Sequence, residues 1–377
     1  MTLLKRLAYG VQRFGLSVLI AAQCGCTEEI DLEKLPPSTH AFVANQGSDT
    51  ISVIDLKSFR NVNTISVGKS PGKIAASPVD DRLFVANLSS NSISVIDSTE
   101  RNLYKTIPVG RSPVDILFAA DGRAAYVACY GANQIYVIDC ESLSVTKTIR
   151  TKPGPVALKL IDSKNELWVA QQVDSSVGVI NLATSSLTES ITTRKGPLYL
   201  QILPDFSKIF VANSDEQSVT IINTQNHEVL DTLVTGNSPL EMVIKPDGGE
   251  IYVNNFEADS VSVINTANNS INGIFSVGKN PLHGVISRDG QRLYVTNYGS
   301  NTVSVLDPPN NRQVIASIAV GIQPECLFLT PDDLYLFVLN SGSNDVSVIR
   351  TDMINFGNTA LFAVIPTGAN PAAITTR

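Results

Sequence analysis

Short apolar runs alternate with polar, glycine-bearing breaks along this chain, and the alternation keeps a beat. Residues 282–287 form an apolar run, and Arg288-Asp289-Gly290-Gln291 is a reversal built on Asp-Gly. Residues 292–296 carry Leu293-Tyr294-Val295, followed by the polar break Asn297-Tyr298-Gly299-Ser300-Asn301. Residues 303–306 place Ser304 between Val303 and Val305, the period-two pattern of a half-buried strand. Asp307-Pro308-Pro309-Asn310-Asn311 ends that strand, and residues 314–320 make a fourth. Val and Ile dominate all four, as pleated surfaces prefer.

The same unit recurs eight times. An aromatic followed by Val marks each copy, at Phe42, Phe84, Tyr126, Trp168, Phe210, Tyr252, Tyr294 and Phe337, in steps of 42 residues with a last step of 43. A proline after a turn keeps the same count, at Pro71, Pro113, Pro155, Pro197, Pro239, Pro281, Pro324 and Pro371. Four antiparallel strands at such a period predict an all-β, eight-bladed β-propeller, with seven blades as the alternative if the last copy packs outside. The chain enters at a second strand (40–44) and ends on a first strand (372–376), so the C-terminal strand is expected to complete the opening blade. Closure of that kind removes the free edges that invite aggregation.

The repeat carries a family resemblance. Tyr294-Val295-Thr296-Asn297, Phe84-Val85-Ala86-Asn87 and Phe210-Val211-Ala212-Asn213, with Ser52-Val53-Ile54-Asp55 and Val67-Gly68-Lys69-Ser70-Pro71, resemble the YVTN-type β-propeller repeat. The resemblance covers nearly everything from residue 40 onward. It implies an exported or cell-surface prokaryotic protein and implies little chemistry. Related propellers include surface-layer proteins, lactonase-like enzymes and the haem-binding propeller of cytochrome nitrite reductases, and fold does not give function. The chain departs from the signature at Cys129, Gln171 and Arg350, where looser turns are expected.

Composition narrows the function. Of 377 residues, 43% are hydrophobic, 17% are charged and the net charge is −7, which supplies a core and argues against nucleic acid as a partner. The N-terminus differs: Lys5, Arg6 and Arg13 precede a nine-residue apolar run, 14–22, too short to span a membrane. Residues 1–26 are therefore read as an export or lipoprotein signal, with Cys26 (alternatively Cys24) as the lipidated residue, or with ordinary cleavage near Ala22. Residues 27–39 read as a tether and 40–377 as the propeller. The expected location is the cell envelope, periplasm or cell surface, with membrane attachment only through that anchor and a monomeric propeller. Cys129, Cys140 and Cys326 are expected as three free, mostly buried thiols, since Cys129 and Cys140 lie at opposite ends of one hairpin.

Candidate site residues follow from the repeat. The position two after each proline is expected at the mouth of the central channel, and it varies while the position three after is mostly apolar: Lys73, Asp115, Ala157, Tyr199, Glu241, His283, Cys326 and Ala373. Lys73, Asp115, Tyr199, Glu241, His283 and Cys326 are the candidate ligand-binding set. Glu241, His283 and Cys326 join carboxylate, imidazole and thiol on three successive blades, a possible transition-metal set, although their spacing belongs to the repeat. The asparagines Asn45, Asn87, Asn213, Asn255, Asn297 and Asn340 are read as hairpin residues that tolerate left-handed backbone. Asp55, Asp97, Asp139 and Asp307 are read as strand-ending caps. The chain has no CxxCH, no GxSxG and no phosphate-cradling loop, so no cofactor is expected and catalysis is the less favoured reading. The leading expectation is a non-enzymatic scaffold that binds a protein or envelope component through the polar loops between second and third strands. The alternative is a lactonase-like or cofactor-handling propeller acting at the channel mouth.

Overall fold

A computed structural model describes residues 39–310 and 312–377. It contains eight four-stranded antiparallel sheets, and the chain is an eight-bladed β-propeller. The last repeat, 47 residues from Pro324 to Pro371, forms a blade like the others (Pro324–Leu329, Tyr335–Asn340, Asp345–Arg350, Leu361–Pro366). Its extra residues form a 3-10 turn, Thr351–Ala360. Seven blades are thereby set aside.

The described chain falls into two compact units. One holds residues up to 190 with 365–377, and carries blades one to four; the other, 191–364, carries blades five to eight. In the first unit the C-terminal strand Pro371–Thr376 pairs with His40–Asn45, and blade one runs 60–66, 50–55, 40–45, 371–376. The closure expected from the sequence is present: Phe42 faces Thr375 and Val43 faces Ile374. The amides of Thr39 and His40 both donate to the carbonyl of Arg377 (3.0 and 2.9 Å).

Every repeat aromatic is buried in a second strand, including Trp168, Tyr252, Phe42, Phe84, Phe210 and Phe337, the largest of the fully buried side chains. They pack between sheets: Phe84 meets Phe118 of the next blade with ring centroids 4.9 Å apart. Truncating such a ring removes about 3–5 kcal/mol. Second and third strands are buried along nearly their whole length, while fourth strands are largely exposed, so the fourth strands are the outer edges. The first strands of neighbouring blades lie against one another and are the inner strands. No helix among the described residues is long and apolar enough to cross a membrane.

The signature asparagines are not turn residues. Asn45, Asn87, Asn213, Asn255, Asn297 and Asn340 end extended strands and are fully buried. Each side-chain amide reaches the third strand: Asn87 Nδ2 donates to Ser92 Oγ (3.1 Å) and Ser94 Oγ (3.0 Å), and Asn255 does so to Ser260 and Ser262. The left-handed residue comes four positions later, at Asp49, Asn91, Asp259, Asn301 and Asn344. The asparagine therefore clamps two strands together. The glycine before the next blade completes the motif: a Cβ on Gly68 would lie 2.6 Å from Asn87 Cγ, and one on Gly278 2.5 Å from Asn297 Cγ.

The exceptions adjust in concert. Gln171, one methylene longer, still donates to Ser176 Oγ (3.0 Å), and the usual serine seven residues on is Gly178. A Cβ there would stand 2.8 Å from Gln171 Nε2. Gln171 thus ends a regular strand rather than a loosened turn. Cys129 ends a regular strand as well, followed by a single 3-10 turn, Tyr130–Ala132, and Arg350 closes its strand with an ion pair to Asp352 (2.6 Å). The strand-ending acids do cap: Asp55 Oδ1 accepts from the amides of Lys57 and Ser58, and Asp139 from that of Ser142.

Candidate functional site

The eight positions two after the prolines all lie on inner strands and are all buried. The structure brings four of them together as two pairs. In the first unit Lys73 Nζ lies 3.4 Å from Asp115 Oδ1 on the next blade, and Asp115 Oδ2 accepts from the amide of Leu158 on the blade after (2.9 Å). One carboxylate thus joins three blades. In the second unit His283 Nε2 lies 3.3 Å from Glu241 Oε1, and Glu241 Oε2 accepts from the amide of Gly284 (3.0 Å). His283 Nδ1 accepts from the amide of Leu327 (3.3 Å), so the ring proton sits on Nε2 and is donated to Glu241. Buried acids of this kind hold a fold together when each oxygen is matched, and penalise it strongly when a partner is removed.

Gly284 is part of this arrangement. A Cβ at that position would come within 2.7 Å of Val243 Cγ2, and Gly284 lets its blade approach the strand that carries Glu241. Tyr199 packs in the apolar cluster with Met242 and Phe210. Ala157 and Ala373 offer no polar chemistry. Cys326 is buried and disulfide-bonded, so two free thiols, Cys129 and Cys140, stand where three were expected. Burial pushes both free thiols up to about 12, which keeps them protonated and poor as nucleophiles or metal ligands. Among the described residues no group of three or more His, Cys, Asp or Glu is placed to hold a metal ion. Cys24 and Cys26, with the export and tether segments, lie outside the described residues.

One inner-strand residue escaped the sequence reading. Glu325, directly after Pro324, is almost fully buried, and its Oε2 has no hydrogen-bond partner. Burial raises its carboxyl to about 8, opposed by a hydrogen bond with Ser341. Ser341 Oγ lies 3.1 Å from the carbonyl of Gln323 and donates its one proton there. The signal was available: the equivalent positions are Gly72, Val114, Val156, Leu198, Leu240, Leu282 and Ala372.

At one edge of the blades, the loops between second and third strands meet the turns that precede the prolines. Leu88 and Ser89 donate their amides to the carbonyls of Ser70 and Lys69, and Tyr130 and Gly131 to those of Ser112 and Arg111. The left-handed loop residue fastens the next turn: Asp49 Oδ1 accepts from Ser70 N (2.8 Å), Asn91 from Ser112 N (3.0 Å) and Asp259 from Asn280 N (2.8 Å). The loops are thus held rigid while their tips stay open, with Gly47, Ser48, Ser89, Ser90 and Asn133 exposed.

Known proteins agree with this architecture. A family model described as a YNCE-like β-propeller matches residues 16–169. No curated protein matches the chain. Among solved structures, hydrazine synthase of Kuenenia stuttgartiensis is 23% identical, with 84% of this chain and 96% of that one covered and a TM-score of 0.58. Dihydro-heme d1 dehydrogenase NirN, in complex with DHE, is 12% identical over 93% of this chain and 79% of that one, with a TM-score of 0.77. A functionally unknown protein from Desulfotomaculum acetoxidans is 15% identical over 90% and 99%, at 0.60. At these identities the likeness is one of fold. The recurring Asn clamp, the eight blades and the family model over residues 16–169 support a β-propeller of the YVTN repeat type.

Proposed function

We propose that this protein is a non-enzymatic, extracytoplasmic scaffold that binds a protein or cell-envelope partner through the loops between second and third strands. One observation carries the reading. Lys73, Asp115, Glu241 and His283 on the inner strands are engaged in blade-to-blade bonds, whereas the exposed, rigidly fastened polar groups lie on the loops. Rigid scaffolds with variable loops are how repeat folds present contact surfaces. An alternative that places chemistry or cofactor handling on the inner strands would have to begin by breaking those bonds, because both ring nitrogens of His283 and both oxygens of Glu241 are engaged.

The test is capture of a binding partner from an envelope extract by the full chain, compared with variants carrying charge swaps in the loops 46–50, 88–92 and 130–134. Capture that disappears in loop variants of unchanged melting temperature supports the reading. Capture that survives every loop swap and vanishes with a conservative inner-strand change such as Glu241→Gln overturns it.

A further inference from the structure

Resting on that reading, the loop edge of the first unit shows which partner chemistry it suits. Three successive turns each carry a cation: Lys69 two residues before Pro71, Arg111 two before Pro113 and Lys152 three before Pro155. Arg150, at the end of the strand leading into the third turn, adds a fourth. All four are exposed. Among the described residues none of them forms an ion pair, whereas Arg82 and Arg123 in the same unit each have a carboxylate. The turns that carry them do not move freely, being fastened through Asp49, Asn91 and Asn133 (to Ser70, Ser112 and Gly154 amides at 2.8, 3.0 and 3.0 Å). Arg111 is also directed along the loop by its bond to the carbonyl of Gly131 (2.9 Å).

The surface between these cations is free of acid over two whole loops. Residues 88–92 are Leu-Ser-Ser-Asn-Ser and 130–134 are Tyr-Gly-Ala-Asn-Gln. The two acids at this edge, Asp49 and Asp174, already accept hydrogen bonds from Ser70 and Ser176. Hydroxyls and amides that bond other hydroxyls, a half-buried tyrosine ring, and an unpaired cation on each of three successive turns match one kind of partner. It is a linear polymer with many hydroxyls and a carboxylate at regular intervals. In a chain of net charge −7 this cationic edge is a local reversal of sign, which steers an anion to it. We infer that this edge of blades one to four binds an acidic polysaccharide, with Lys69, Arg111 and Lys152 taking successive carboxylates.

The test is calorimetric titration of the full chain with polygalacturonate at low and at physiological salt, with dextran, polyglutamate and polyphosphate as comparison ligands. Polygalacturonate should bind and dextran should not, and affinity should fall as salt rises. The triple variant Lys69→Glu, Arg111→Glu, Lys152→Glu should lose about ten-fold or more in affinity. Lys57→Glu with Arg60→Glu, exposed cations in the turn between third and fourth strands and at the start of the fourth, should leave it within about two-fold. Melting temperatures of both variants are measured first. If the triple variant unfolds, Lys69→Gln with Lys152→Gln replaces it and should lose several-fold. The inference fails if polygalacturonate does not bind, if both variants lose equally, or if polyglutamate or polyphosphate binds more tightly. Should it fail while loop swaps still abolish partner capture, the scaffold reading stands and only its polysaccharide ligand is wrong.

Discussion

Blades two to four and blades six to eight use the same inner-strand position and different side chains. In the first unit a lysine and an aspartate face each other across two blades, and the aspartate reaches a third through Leu158 N. In the second a glutamate and a neutral histidine do so, and the histidine reaches the third blade through Leu327 N. Both carboxylates accept a backbone amide 43 residues ahead. At these two sites a carboxylate supplies an acceptor between blades, and either acid length serves. The loop edges differ in a corresponding way. The second unit carries Asp215, Glu216, Glu257, Asp259 and Asp345 in its loops, where the first carries only Asp49 and Asp174. Inner positions vary in ways that keep one set of bonds, while loops vary in ways that change surface charge. The first kind of variation serves folding, and under the proposed function the second serves recognition.

The largest effect should come from breaking the inner bonds. Asp115→Ala leaves the Lys73 ammonium and the Leu158 amide buried without their acceptor, and should destabilise by about 3–5 kcal/mol. Glu241→Ala should cost less, about 2–3 kcal/mol, because the imidazole left behind is neutral. Thermal or urea unfolding of the two variants side by side checks the order. Equal losses would show that the lysine pair is no more charged in effect than the histidine pair.

A second asymmetry is confined to blade eight. Glu325 is held neutral by burial, with its carboxyl raised from 4.5 to about 8, while the unfolded chain ionises near the ordinary value. Between those two pH values the folded protein holds a proton that the unfolded chain has released. Stability contributed by this site must therefore fall as pH rises from about 4.5 to about 8, then level off. Glu325→Gln keeps the side chain's shape and removes the titration. Its stability should exceed that of the parent at pH 8 by a few kcal/mol, in order of magnitude, and converge with it near pH 4. Parallel stability curves would mean that Glu325 is ionised in the fold.

A smaller effect sharpens the account of the repeat. Gly178→Ser alone drives a side chain against Gln171 and should destabilise by about 1–2 kcal/mol. Combined with Gln171→Asn it restores the clamp found at Asn87 and Asn255, and the pair should couple favourably by about 1 kcal/mol. A double-mutant cycle with no coupling would contradict the clamp. Smallest of all in energy, Cys129 and Cys140 should resist alkylation at pH 8 in the folded protein and react only after denaturation, since burial keeps them as thiols.

Much of this molecule was legible in its sequence, because a period repeated eight times averages out local ambiguity. The blade count, the strand order and the closing strand 371–376 follow from where the aromatics and prolines fall. The asparagines were visible but their role was not. A turn-forming residue and a strand-clamping residue look alike until the serines five and seven positions on are seen to move with them, as Gly178 does with Gln171. The inner-strand candidates were legible as one repeat position, yet their pairing depends on which side chains meet across blades, and repeat spacing carries no such information. Glu325 was hidden for the opposite reason. Attention fell on the position that varies most, while the single acid at an otherwise apolar position stood one residue away.

The central claim is that inner-strand polar groups hold blades together while the loop edge meets the partner. The most direct measurement pairs the melting temperature and the ligand affinity of Glu241→Ala, taken below its melting point. The account predicts a melting temperature lowered by several degrees with affinity at the loop edge unchanged. An unchanged melting temperature with affinity lost would place the working surface on the inner strands and contradict it.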